Sequence, residues 1–157
     1  MKRIFIDVER CLGCKTCEMI CAIKHSKSKN LLALIEDEVR LLPRIKVIKT
    51  EISPLPLQCR HCPEPYCKQA CISGAIEIKE DTVLIDKEKC INCYSCIMVC
   101  PYGVIRIDRE ESVAIKCDLC PDEEIPPCVR SCPTKALFYG ELKDFKKRIK
   151  KEERCPV

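Results

Sequence analysis

The 157-residue chain contains no tryptophan, three phenylalanines, four tyrosines and two histidines. So few aromatic side chains make a thin core, and metal or covalent cross-links must supply much of the stability of such a chain. Long apolar runs are also missing. Stretches such as Leu31 to Ile35 fall far short of the ~18 residues that a membrane span requires. We therefore expect a soluble protein with no direct membrane span.

Several catalytic motifs are absent as well. The sequence has no P-loop, no G-x-G-x-x-G dinucleotide site and no residue set that resembles a hydrolytic triad. No pattern indicates the chemistry of a substrate pocket. We expect a protein that is not an enzyme by itself and that has no catalytic residues.

Cysteine, by contrast, is abundant: the sequence has seventeen, more than one residue in ten. A secreted disulfide scaffold is one explanation for such a composition. Three observations oppose it: the count is odd, no apolar signal segment precedes Cys11, and the cysteines recur at short, regular spacings. Keeping so many thiols reduced favours a reducing, anaerobic cytoplasm.

The segment from Cys90 to Pro101 has the pattern C-x2-C-x2-C-x3-C-P, which is typical of bacterial proteins that bind a [4Fe–4S] cluster. Three cysteines at three-residue steps can bind three corners of one cubane. The fourth lies one helical turn further on and binds a different cluster. Such a motif is half of a pair, so it predicts a second motif elsewhere in the sequence.

Three further motifs are present, with middle spacings of two, four and seven residues. Zinc is the alternative metal, but structural zinc prefers two separated C-x2-C pairs, and a third and fourth cysteine at these spacings fit a cubane better. We predict four [4Fe–4S] clusters. The motifs comprise Cys11, Cys14, Cys17 and Cys21; Cys59, Cys62, Cys67 and Cys71; Cys90, Cys93, Cys96 and Cys100; and Cys117, Cys120, Cys128 and Cys132.

The net charge does not indicate nucleic acid as a partner. The formal value of +4 counts every cysteine as a neutral thiol. Sixteen thiolate ligands and four cluster cores of about +2 each would change the net charge to about −4. We expect many of the lysine and arginine side chains to offset the charge of the clusters.

Short strands and hairpins are predicted around the motifs, from alternating apolar residues. An amphipathic helix is predicted at 141–154, with Leu142, Phe145 and Ile149 on one side. Residues 22–53 form the longest stretch without cysteine, and we interpret them as an insertion that is either a covering loop or a partner contact. The predicted strands lie at residues 4–9, 44–49, 75–79, 82–86, 103–108, 112–116 and 136–139.

Three further residues could bear on the metal chemistry. Cys155 has no companion and is either a spare thiol or a ligand or interface thiol that contacts a partner. His25 and His61 flank cluster motifs, so each either packs locally or donates a hydrogen bond to a cluster sulfur.

Taken together, the motifs resemble those of the four-cluster ferredoxin-type electron-transfer subunits of anaerobic oxidoreductases, as in dimethyl sulfoxide reductase, formate dehydrogenase and formate hydrogenlyase. The resemblance rests on the order of the spacings, the Cys-x-His-Cys-x2-Pro-x-Cys form of the second motif and the long gap in the fourth. Within that family, Cys-Leu-Gly-Cys-Lys-Thr-Cys-Glu from Cys11, followed by Ala-Ile-Lys-His-Ser-Lys-Ser-Lys from Ala22, most resembles the CooF-type subunit of carbon monoxide dehydrogenase. The electron-transfer subunit of tungsten aldehyde oxidoreductases is a close second.

The resemblance implies an α+β fold of two tandem bacterial-ferredoxin-like domains with nested cluster pairing. An outer domain would comprise residues 1–53 and 112–157, and an inner domain residues 54–111. Ala22 and Ile72 stand where the family often has proline. The implied ligand sets are Cys11, Cys14, Cys17 and Cys132; Cys21, Cys117, Cys120 and Cys128; Cys59, Cys62, Cys67 and Cys100; and Cys71, Cys90, Cys93 and Cys96.

The predicted function is electron transfer from a catalytic oxidoreductase to a redox acceptor protein, such as an NAD(P)-linked flavoprotein or a hydrogenase. The resemblance favours carbon monoxide dehydrogenase as the catalytic partner. The alternatives are a subunit of a tungsten aldehyde oxidoreductase, a formate dehydrogenase or a hydrogenase; a freely diffusing polyferredoxin; and a zinc-binding interaction scaffold.

Overall fold

The computed structural model describes residues 1–36 and 42–153. Cys155, the end of the helix predicted at 141–154 and part of the predicted insertion lie outside the described residues. Within them, helices are interspersed with short strands, most of which occur in consecutive pairs. The strands are β1 Arg3–Ile6, β2 Ile45–Lys49, β3 Pro54–Gln58, β4 Ile76–Lys79, β5 Thr82–Ile85, β6 Arg106–Asp108, β7 Val113–Ile115 and β8 Leu137–Gly140. The helices are α1 Thr16–Lys24, α2 Leu31–Glu36, α3 Tyr66–Gln69, α4 Ser95–Met98, α5 Pro127–Arg130 and α6 Leu142–Glu153.

The strands pair into two-stranded antiparallel sheets: β1 with β8, β2 with β3, β4 with β5, and β6 with β7. The hairpins predicted from alternation at 75–86 and 103–116 are confirmed as β4–β5 and β6–β7. The sheet of β1 and β8 joins segments from near the two ends of the sequence, with Ile4 opposite Tyr139 and Ile6 opposite Leu137. The predicted strand at 4–9 is shorter in the structure, although the Asp7 N–H still donates to Ala136 O at 2.8 Å.

The strand β3 was not predicted, because Pro54 and Pro56 indicate a break in the backbone. In the structure Pro56 lies opposite Val47 and Pro54 opposite Lys49. Proline cannot donate a ladder hydrogen bond, so it is tolerated in a strand that has a free edge. Residues two apart on a strand direct their amide groups to the same edge. One free edge of this two-stranded sheet therefore accommodates both prolines.

Two buried cores form among the described residues, and cysteine contributes to both. The first core combines Ile4, Ile45, Val47, Leu119 and Leu137 with Cys17, Cys21, Cys117 and Cys128. The second combines Ile76, Val83, Ile105 and Ala114 with Cys96. Neither core has a buried aromatic member, which agrees with the composition.

The C-terminal helix α6 packs against the sheet of β1 and β8. The ring of Phe145 stacks on Phe5, with 5.1 Å between centroids, and on Phe138, with 5.8 Å. Leu142, predicted on the same apolar side, remains half exposed. None of the described helices is long and apolar enough to cross a membrane.

Gly13 provides a test of how the first motif packs on the sheet of β2 and β3, because it lies against Pro54 of β3. Its φ is +68°, and a Cβ there would lie 2.9 Å from Pro54 Cγ. Gly74 has a similar φ of +66°, but a Cβ there would meet nothing within 4 Å. Alanine in the left-handed region costs about 1–2 kcal/mol. We expect Gly74→Ala to lower stability by that amount and Gly13→Ala by more.

The measurement is thermal unfolding followed by circular dichroism under anaerobic conditions. Equal unfolding temperatures for the two variants would contradict the close approach of Gly13 to Pro54.

Candidate metal centres

All four cysteine motifs share one backbone feature. The residue just before the second cysteine is left-handed, with φ of 68° at Gly13, 47° at His61, 54° at Asn92 and 65° at Leu119. Left-handed residues within a turn point successive N–H groups inward, and such concavities bind anions and iron–sulfur clusters. Histidine and leucine adopt this conformation only at a steric cost. Its recurrence in four loops therefore indicates a common structural demand.

The third cysteine of each motif lies on a short helix. Helices α3, α4 and α5 have four residues each and end before the fourth cysteine. Left-handed residues follow each of these fourth cysteines, at Gly74, Gly103 and Lys135. In the first motif, α1 instead continues through Cys21 to Lys24.

Two cavities are lined by cysteines from the second and third motifs. One is lined by Cys59, Cys62 and Cys67 together with Cys100, beside Val83 and Ile105. The other is lined by Cys90, Cys93 and Cys96 together with Cys71, beside Ile76 and Ala114. Each cavity therefore combines three cysteines of one motif with the fourth cysteine of the other.

The first and fourth motifs meet in the first core. There Cys17 and Cys21 lie with Cys117 and Cys128, and Cys132 packs against them. Burial raises the pKa of Cys17 to about 12, and the nearby Cys11 and Cys132 thiols add to the shift. Burial likewise raises the pKa of Cys128, with Cys117, Cys21 and Cys120 adding to it.

These thiols fit a metal cluster. A buried thiol whose pKa is raised does not ionise by itself near neutral pH, whereas metal binding deprotonates a coordinating thiol. All sixteen cysteines of the described residues have free thiols. Soft thiolate ligands in sets of four are the donors that iron–sulfur clusters use. The residues present can therefore hold [4Fe–4S] clusters.

Hydrogen-bonding groups surround many of the sulfur atoms. Backbone N–H groups of Arg44, His61 and Ala114 donate to the sulfurs of Cys21, Cys59 and Cys90, at 3.3, 3.4 and 3.5 Å. A hydroxyl two residues after a cysteine lies near its sulfur in four places, and the spacing Cys-x-Ser/Thr was a signal that the sequence reasoning missed. The pairs are Cys14–Thr16, Cys71–Ser73, Cys93–Ser95 and Cys132–Thr134, at 3.4 to 3.8 Å.

Both histidines lie close to the motifs and are uncharged. Burial lowers the pKa of His25 to about 4, and the positive charge of Arg44 adds to the shift. Its Nε2 lies 3.8 Å from the sulfur of Cys120 and 3.7 Å from a carboxylate oxygen of Asp118. Burial lowers the pKa of His61 to about 3, and its Nδ1 accepts a hydrogen bond from the Val83 N–H at 3.2 Å.

The repeated cysteine loops and their cavities define a ferredoxin-type iron–sulfur protein. Comparison with known families agrees: a 4Fe-4S dicluster domain model matches residues 50–142, and a 4Fe-4S binding domain model matches residues 8–22. This protein belongs to the family of 4Fe–4S ferredoxin-type electron transport subunits.

Curated relatives cover most of the sequence. The putative electron transport protein YsaA of Escherichia coli is 38% identical over 85% of this protein and 86% of its own length. The electron transport protein HydN of Escherichia coli is 35% identical, over 86% and 85%. One subunit of the anaerobic dimethyl sulfoxide reductase of Escherichia coli is 33% identical, over 92% and 75%. The protein is therefore an electron-transport iron–sulfur protein.

Exposure and pKa together predict which cysteines react first when the clusters are lost. Cys14 and Cys93 are exposed, and the hydroxyls of Thr16 and Ser95 lower their pKa. Cys117 and Cys128 are buried, and burial raises their pKa. During slow air oxidation at pH 8 with iodoacetamide present, we expect alkylation at Cys14 and Cys93 first and at Cys117 and Cys128 last.

Peptide mass spectrometry at successive times measures this order. A lower pKa gives a larger fraction of reactive thiolate. Raising the pH from 7 to 8 should therefore increase the alkylation rates of Cys14 and Cys93 by a much larger absolute amount than those of Cys117 and Cys128. Early labelling of Cys117 would contradict the burial of the first core.

Proposed function

We propose that the protein is a non-catalytic electron relay that holds four [4Fe–4S] clusters. The observation that carries the proposal is the lining of the two cavities, in which three cysteines of one motif meet the fourth cysteine of another. This is the arrangement expected of paired motifs in two-cluster ferredoxins. Each bound cluster would take up and release one electron.

The proposed ligand sets follow the same three-plus-one rule. The cavities support the sets of Cys59, Cys62, Cys67 and Cys100 and of Cys71, Cys90, Cys93 and Cys96. The first core supports the other two sets. The thiols of Cys11 and Cys132 lie near enough to raise the pKa of Cys17, and those of Cys21, Cys117 and Cys120 raise the pKa of Cys128. Those sets are Cys11, Cys14, Cys17 and Cys132, and Cys21, Cys117, Cys120 and Cys128.

A linear order follows from the contacts between the cores. Cys59, from the second motif, packs against the first core, and its thiol lies near enough to raise the pKa of Cys117. The cluster bound by Cys59 is therefore the one that faces the outer domain of residues 1–53 and 112–157. We propose that electrons pass between the two proposed domains at this junction, within a nested fold whose inner domain is residues 54–111.

Metal analysis of the purified protein tests the relay directly. Four clusters require about sixteen iron and sixteen sulfide per protein molecule, and reduction by dithionite should bleach the visible absorption. About one zinc per four cysteines without sulfide would reject the proposal.

The variant Cys100→Ala tests the crossover of ligands between motifs. It should damage the cluster bound by Cys59, Cys62 and Cys67, because Cys100 lines that cavity. It should spare the cluster bound by Cys90, Cys93 and Cys96, although Cys100 follows those cysteines in sequence. Cluster-resolved electron paramagnetic resonance (EPR) measures the loss, and Cys71→Ala is the matched control because it should damage the other cluster.

We propose carbon monoxide dehydrogenase as the catalytic partner in the cytoplasm, on the resemblance of the first motif, with a flavoprotein or another redox protein as acceptor. The family membership supports a catalytic partner in general, because one relative is a subunit of dimethyl sulfoxide reductase. Purification of the native complex under anaerobic conditions and identification of its other subunits would decide the partner.

A basic groove beside the first motif is the proposed docking site for this partner. It is lined by Arg10, Lys135, Lys147, Arg148 and Lys151, with Asp144 as its acidic member. Arg10 precedes Cys11, and Pro133 and Thr134 follow Cys132, so the groove adjoins the cysteines of the proposed terminal cluster. An acidic surface on the partner would complement this charge and be steered to it.

Charge reversal at Lys147 and Lys151 should weaken binding of the partner about tenfold or more at low salt and much less at high salt, because salt screens the attraction. The matched control reverses Lys27 and Lys46, which lie in the predicted insertion and are also exposed. Surface plasmon resonance with the purified partner measures both pairs. If reversal of Lys27 and Lys46 weakened binding more than reversal of Lys147 and Lys151, the docking site would lie in the insertion instead.

A further inference from the structure

Lys116 is a lysine buried where the two cores meet. The residue as a whole is 4% exposed. Its Nζ donates a hydrogen bond to Val83 O and another, at 3.1 Å, to Cys117 O. Val83 belongs to the second core and Cys117 to the first. The ammonium group therefore bridges the two cores.

The contacts of Lys116 leave its charge uncompensated by protein. Within residues 1–36 and 42–153, its hydrogen bonds go to two neutral carbonyl groups, and no carboxylate forms an ion pair with it. A buried ammonium group is costly unless a negative charge lies near it. Carbonyl dipoles offset only part of that cost. Its position therefore implies a negative charge that is supplied by something other than aspartate or glutamate.

The nearest source of negative charge is the cysteine cavity that Val83 lines. The side chain of Val83 lines the cavity of Cys59, Cys62, Cys67 and Cys100, and the carbonyl of the same residue accepts the Lys116 hydrogen bond. On its other side Lys116 directly precedes Cys117. Four thiolates and an oxidised cluster core carry a net charge of about −2.

We propose that Lys116 is the counter-ion of the two middle clusters, those bound by Cys59, Cys62, Cys67 and Cys100 and by Cys21, Cys117, Cys120 and Cys128, and that its charge raises their reduction potentials. This inference rests on the ligand sets of the proposed function. Reduction adds one electron to a cluster that is already negative. A buried positive charge beside it favours the reduced form, and little solvent is present to screen the effect.

The position of Lys116 gives the charge a role in the relay. The electron must cross between the two cores at the cluster of Cys59, which packs against the first core. A positive charge at this crossing lowers the free energy of the electron in the middle of the relay. Electron transfer between the two proposed domains therefore does not require an increase in free energy at this crossing.

The variants Lys116→Gln and Lys116→Arg separate charge from packing. Glutamine keeps an N–H donor for the carbonyls of Val83 and Cys117 but removes the charge, and arginine keeps the charge. The matched control is Lys89→Gln, because Lys89 also directly precedes the first cysteine of a motif. It is exposed and paired with Asp86 at 3.1 Å. All four proteins are compared as anaerobic, cluster-loaded, full-length molecules.

Midpoint potentials from EPR-monitored redox titration are the readout, with iron and sulfide content as a check on loading. Lys116→Gln should shift the two middle clusters to more negative potentials and leave the other two unchanged. Lys116→Arg and Lys89→Gln should resemble the wild type. If Lys116→Gln loses iron, the proposal expects loss of the two middle clusters only.

Unchanged potentials in fully loaded Lys116→Gln, or the same shift in Lys116→Arg, would overturn the assignment. Loss of all four clusters together in Lys116→Gln would also overturn it, because that result would make Lys116 a packing residue. Failure of the proposed function is recognised separately. It would appear in the wild type as fewer than four clusters, or in Cys100→Ala as loss of the wrong cluster.

Discussion

The geometry of the cysteine motif constrains the whole fold, since three of its thiols converge while the fourth points elsewhere. A protein with this motif must bring a second segment to each fourth cysteine. In the described structure two cavities combine Cys71 or Cys100 with three cysteines of another motif. The parts around them are small: four-residue helices carry the third cysteines of three motifs, and the strands pair two by two. The elements are short because each one only has to position a few sulfur atoms.

The second constraint is charge. Thiolates and clusters concentrate negative charge in a small volume, and the structure surrounds them with backbone N–H groups, hydroxyls and a few cations. The N–H of Arg44 reaches Cys21, while the Arg44 guanidinium pairs with Asp118, one residue after Cys117. Lys116 is the buried member of this set. The many exposed lysines of α6 lie instead at the surface, where they can meet a partner.

Much of the local structure could be predicted from the sequence. Alternating apolar residues identified the hairpins β4–β5 and β6–β7, because adjacent strands joined by a tight turn form by local rules. The helix α6 followed from its apolar spacing. The strand β3 was missed, since the usual meaning of Pro54 and Pro56 is a break in the backbone, and only the pairing with β2 shows that a free edge accommodates them.

The sequence by itself determined the metal chemistry, because sixteen cysteines recur at the spacings of [4Fe–4S] motifs and few aromatic side chains are available for a core. Spacing along a sequence carries no information about which distant segments meet. The family resemblance implied that Cys100 joins Cys59, but only the tertiary structure decided that His61 is buried and neutral and that Lys116 lies between the two cores. These facts depend on contacts between residues far apart in sequence, and burial acquires its electrostatic meaning only when those contacts form.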